Sequence, residues 1–92
     1  MAACKISPNN LVVFFLGSHK GKCADEINQE IKEGKQDLGH NFTKGECMTA
    51  CNSPFAYGCE YNYPDRMCTM HNSPLVDSGN GDESYICQLL QG

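Results

Sequence analysis

Ninety-two residues with seven cysteines make a chain that fits one small domain and excludes two independent cores. Hydrophobic residues at 40% and charged residues at 20% set it apart from disordered sequences, so a packed fold is expected, stapled by disulfides because no tryptophan is present. The net charge of −4 has the wrong sign for neutralising phosphates, which excludes nucleic acid as an expected partner.

Charge is unevenly distributed along the chain. Lys5, Lys20 and Lys22 give the first 22 residues +3, and the remainder carries −7. Residues 1–10 read as a flexible leader and residues 11–90 as a single domain. The longest apolar run, Leu11 to Leu16, has six residues where a membrane span needs about 20, so no membrane-spanning segment is expected. The run is also short for a signal-peptide core, and the chain reads as a mature or recombinant form.

In chain order, Leu11–Leu16 predicts a strand buried on both faces, closing at Gly17-Ser18. Asp25–Glu33 places Ile27 and Ile31 four apart before Gly34, which predicts a short helix, with an irregular acidic connection from Cys23 to Phe42 as the competing reading. The strongest local signal follows. Thr43 and Glu46 form a capping-box pattern, with Phe42 placed to pack as a hydrophobic staple on Cys47. The resulting helix projects Cys47 and Cys51 from one face and stops at Asn52-Ser53-Pro54.

Tyr57, Cys59, Tyr61 and Tyr63 alternate with Gly58, Glu60 and Asn62, the period of a strand with Cys59 on its tyrosine face. Pro64-Asp65-Arg66 reads as a turn, and Met67–His71 as the second strand of a hairpin. A polar loop over Asp77–Glu83 leads to a last strand, Tyr85–Leu90.

The cysteines lack the C-x-x-C spacing of redox sites and the paired knuckles of structural zinc sites. His71, three residues after Cys68, reads as a surface histidine rather than a zinc ligand. Asp77–Glu83 fails the calcium-loop pattern at its third position. Neither metal nor cofactor is expected. Pairing six of seven cysteines can be done in 105 ways, and the arithmetic alone selects none. Two cysteines in successive turns of one helix are poorly placed to bond each other and well placed to reach neighbouring strands.

In order, E-C-M-T-A-C from Glu46, then Y-G-C-E-Y-N-Y, then M-C-T-M-H, then S-Y-I-C resembles the PAN/apple domain family, found as extracellular modules. The resemblance covers residues 23–87 and implies an α+β fold, an antiparallel β-sheet packed around one main α-helix. It implies bonds Cys47–Cys68 and Cys51–Cys59 from helix to sheet and Cys23–Cys87 between the domain's ends. Loops of about 8, 21 and 64 residues closed in this way contribute on the order of 10 kcal/mol as an upper bound in the loop-entropy treatment. Cys4 is left over, free or forming an intermolecular bond in a Cys4-linked homodimer.

No catalytic motif emerges, so an enzyme is not expected. The function expected is that of a secreted module recognising an extracellular protein or carbohydrate. Its contact set is Tyr61, Tyr63, Asp65, Arg66, His71 and Asp77, near one hairpin and the following loop. The competing reading is a free-standing secreted effector, ligand or inhibitor. Asn41-Phe42-Thr43 is a glycosylation sequon, consistent with secretion.

Overall fold

The computed structural model describes residues 14–91; the leader, Cys4 and the start of the apolar run lie outside the described residues. Among the described residues, seven strands and one helix follow in chain order: β1 (Phe14–Lys20), β2 (Cys23–Ala24), β3 (Lys35–Gly39), α1 (Lys44–Ala50), β4 (Gly58–Asn62), β5 (Met67–His71), β6 (Ser78–Gly79) and β7 (Tyr85–Gln91). β1-β7-β4-β5-β3 form one antiparallel sheet, and β2 and β6 pair as a separate two-stranded ribbon. The fold is a disulfide-rich α+β fold.

Helix α1 starts where its capping box directs. The Thr43 hydroxyl accepts from Glu46 N–H at 3.1 Å, and the Glu46 carboxylate accepts from Thr43 N–H at 2.8 Å, so two backbone donors at the helix start are satisfied. Phe42 packs, half-buried, against the core that contains Cys47.

β4 is the middle strand of the sheet. It pairs with β5 on one side and β7 on the other, and all five of its residues are buried. Alternation sends Cys59 and Tyr61 to the helix face, joined there by Cys68, Leu90, Cys47 and Cys51 in the main core. Gly58, Glu60 and Asn62 point to the opposite face, and that face is covered as well.

The β2–β6 ribbon does the covering. Cys23 bonds Cys87 of β7, and the Cys23 N–H donates to Glu60 at 2.9 Å, drawing the ribbon onto the sheet. One helix and one ribbon therefore sandwich the sheet. Cys47–Cys68 and Cys51–Cys59 staple the first layer, and Cys23–Cys87 staples the second. These are the pairs that the family resemblance implies.

Three local expectations need correction. β1 runs through Gly17-Ser18 to Lys20 at the sheet edge. Phe15 pairs with Leu90 and Gly17 with Leu89, so Leu16 is the extra residue of a bulge and is 61% exposed rather than buried. No helix forms over Asp25–Glu33. There the Asp25 carboxylate accepts from the Ile27 and Gln29 N–H groups and Asn28 takes a φ of 63°, a side-chain-to-backbone turn that displaces helical bonding. Ile31 is buried and Ile27 exposed, so the two isoleucines share no face. The third correction lies in Asp77–Glu83, where Ser78–Gly79 pairs with β2.

Edge strand β3 had no sequence signal, because Lys35, Gln36 and Asp37 are all exposed and show no apolar alternation. It pairs with β5 through backbone bonds, and Asp37 accepts from the Thr69 hydroxyl at 3.1 Å.

Candidate functional site

The two faces of the sheet differ in chemistry. On the helix face, the sulfurs of Cys47, Cys51, Cys59 and Cys68 lie within 4.8 Å of one another, fully buried. Such a cluster of thiolates would suit a soft metal, but all four sulfurs are committed to two disulfides and offer no thiolate.

On the ribbon face, His71 Nε2–H donates to Glu60 at 2.9 Å, and the same Glu60 oxygen accepts from Cys23 N–H. His71 has no solvent exposure and Glu60 has 4%. Cys23, the third member of this cluster, is bonded to Cys87. His71 Nδ1 is buried without a hydrogen-bond partner. The group is sealed from ligands, and its role is to tie ribbon to sheet.

This placement corrects two of the expected contact residues. His71 is not a surface histidine; it lies opposite Gly58 across β4–β5 and is fully buried on the face that the ribbon covers. Tyr61 is not a ligand contact either. It is 5% exposed, and its hydroxyl donates to the Phe42 carbonyl at 2.6 Å, joining β4 to the residue before the helix cap.

The remaining candidates are exposed but divided among different places. Asp65 and Arg66 sit on the β4–β5 turn. There Asp65 N–H donates to Asn62, Arg66 takes a φ of 54°, and the Arg66 guanidinium donates to the Phe42 carbonyl at 3.3 Å. Asn41 is exposed, one residue before Phe42.

Tyr63, 46% exposed, packs edge-on against Tyr61 with ring centroids 5.4 Å apart. It lines a concavity of about 260 Å³ with His19, Lys20, Glu83, Tyr85 and Ile86. Lys22 lies 4.9 Å over the centre of the Tyr85 ring, a cation–π contact beside that concavity. Two tyrosine rings among polar groups of both signs suit stacking on a flat ligand such as a sugar ring.

Asp77 belongs to a different and larger concavity, about 400 Å³, between Asp25–Ile27 and Pro74–Asp77. Here Ile27 and Leu75 are 67% and 66% exposed. Both are held out by hydrogen-bonded turns. The Asp25 carboxylate organises the first, and the Ser73 hydroxyl accepts from Leu75 N–H at 3.1 Å in the second. The Ser78 hydroxyl contacts the Asp25 carbonyl and the Asn28 side chain, and Asp77 N–H donates to the Ala24 carbonyl, so the two turns form one body.

Sequence reasoning passed over Ile27, Leu75 and Glu26. Their signal was an isolated aliphatic residue within a turn-forming stretch, Asp-Glu-Ile-Asn in one case and Ser-Pro-Leu-Val-Asp in the other.

Comparison of the chain with family models, with characterised proteins and with solved structures returned no match. Three disulfides and the absence of any described helix long and apolar enough to cross a membrane are compatible with a secreted protein.

Proposed function

We propose that this chain is a PAN/apple-like extracellular recognition module that binds a protein or carbohydrate and performs no chemistry of its own. The family assignment is supported by a C-x3-C helix whose two cysteines bond successive strands, Cys51 to β4 and Cys47 to β5, with a further bond linking β2 to β7. The observation that carries the binding role is the presentation of Ile27 and Leu75. Two aliphatic side chains stand in solvent on cross-tied turns, and large exposed apolar groups on a rigid frame mark interaction surfaces. A binding role also accords with the chemistry, because the His71–Glu60 pair is buried as a structural tie.

The experiment is capture from extracellular medium together with a glycan array, using the oxidised chain and a reduced, alkylated control. Ligands held by the oxidised form and lost by the control are expected. If neither form retains any protein or sugar, the recognition reading is wrong. The tyrosine-lined concavity supports the sugar arm of the array, and Tyr63→Ala is expected to weaken any glycan signal.

A further inference from the structure

The larger concavity has a one-sided charge. Asp25, Glu26 and Asp77 stand around Ile27 and Leu75, and no Lys or Arg lines it. Lys22 and Lys35 are both directed to Glu30, at 3.8 and 3.6 Å. Among the described residues, neither Glu26 nor Asp77 has an ion-pair partner. Asp25 differs from them, since its carboxylate already accepts from two backbone N–H groups of its own turn.

An apolar pair flanked by two uncommitted carboxylates selects its complement. Complementary charge steers encounter and rejects like-charged partners, while burial of aliphatic surface supplies the affinity. A neutral or acidic segment would bury Ile27 and Leu75 while desolvating Glu26 and Asp77 without compensation. A cationic one compensates both.

We propose that the concavity between the Asp25–Asn28 turn and the Ser73–Val76 turn is the docking site for a basic, apolar peptide segment of a partner protein. An aliphatic or aromatic side chain seats against Ile27 and Leu75, and Lys or Arg residues beside it face Glu26 and Asp77. The inference rests on the recognition-module reading and specifies its partner. The backbone bonds that fix both turns mean that the site is formed before the partner arrives, which lowers the entropic cost of binding.

The test is panning of a displayed library of random peptides on the oxidised chain, followed by anisotropy titrations of the enriched peptides. Enriched sequences are expected to place Lys or Arg within two positions of an aliphatic or aromatic residue. Ile27→Ser with Leu75→Ser is expected to weaken those peptides by about tenfold or more. Glu26→Gln with Asp77→Asn is expected to weaken them and to remove most of the salt dependence of binding. All four side chains are on the surface, and mass mapping of the three bridges establishes that each variant is folded.

Failure to enrich any peptide, enrichment of acidic peptides, or unchanged affinity in the Ile27→Ser/Leu75→Ser variant overturns the site. So does sedimentation showing a dimer that this variant dissociates, because the occupant would then be a second copy. If a captured extracellular ligand still binds that variant, the recognition reading stands and this site assignment alone falls.

Discussion

His71 and Glu60 meet across the β4–β5 ladder at 2.9 Å, both buried beneath the ribbon that carries Cys23. The pair is diagonal in register, since Glu60 lies directly opposite Thr69 and His71 opposite Gly58. A carboxylate in such a place persists because two donors share it.

Removing that carboxylate strands both donors. Glu60→Leu is expected to cost about 3 kcal/mol, because Cys23 N–H and His71 Nε2–H lose their acceptor in a dry layer. Urea unfolding of the oxidised protein measures this. His71→Leu in addition should cost less than it does in the wild-type background, since the partner it would abandon is already gone. Strict additivity of the two substitutions would show that the contact contributes nothing.

Glycine positions offer opposite signs. A Cβ on Gly58 would stand 3.0 Å from a Val76 methyl and 3.1 Å from the bonded Cys23 sulfur, so Gly58→Ala is expected to destabilise by about 1–2 kcal/mol. Gly79→Ala should be worse, because its Cβ would collide with the Lys20 carbonyl, which is backbone. Gly45 lies in α1 with nothing near its Cβ position, and Gly45→Ala should raise stability by about 0.5–1 kcal/mol. Thermal midpoints of the three variants decide the order.

The bridges should rank by the loop each closes. Pairwise replacement by alanine is expected to cost about 2.5 kcal/mol for Cys51–Cys59, about 3.3 for Cys47–Cys68 and about 4.3 for Cys23–Cys87. The separations are 8, 21 and 64 residues. Urea midpoints in the reverse order would mean that local packing, rather than chain entropy, governs the contribution of each bond.

Two tyrosines in one strand region should respond differently. Tyr61→Phe removes a buried hydroxyl that donates to Phe42 and is expected to cost about 1 kcal/mol, whereas Tyr63→Phe should change stability by less than about 0.5 kcal/mol. Equal costs in denaturation experiments would contradict the burial difference.

Asn41 stands exposed beside the helix cap, in an Asn-Phe-Thr sequon. Passage through a eukaryotic secretory pathway is expected to attach a glycan there, read as a mobility shift on treatment with a peptide N-glycosidase. Thr43→Ser keeps both sequon and cap and should retain the shift. Thr43→Ala should abolish it and also cost about 1 kcal/mol of stability through the lost cap.

How much of this was legible beforehand follows from the range of the forces involved. The capping box at Thr43 and Glu46, the alternation from Tyr57 to Tyr63 and the turn at Asp65-Arg66 are set by neighbours within a few residues, and the structure has a helix, a strand and a turn there. The 25–33 segment misled because isoleucines four apart suggest a helix, while an aspartate able to hydrogen-bond two backbone N–H groups ahead of it competes for the same chain.

What the sequence by itself determined was a small disulfide-dense α+β chain with one capped helix bearing two cysteines on a common face. Only the tertiary structure decided which polar residues are inside and which apolar ones are outside. His71 looked solvent-facing, and Glu60 had only a place opposite the tyrosine face, because strand alternation names two faces without saying what covers them, and the β2–β6 ribbon that covers theirs returns from distant parts of the chain. Ile27 and Leu75 looked ordinary for the opposite reason: exposure of an aliphatic residue, and the carboxylates gathered around it, result from how two turns about fifty residues apart are tied together.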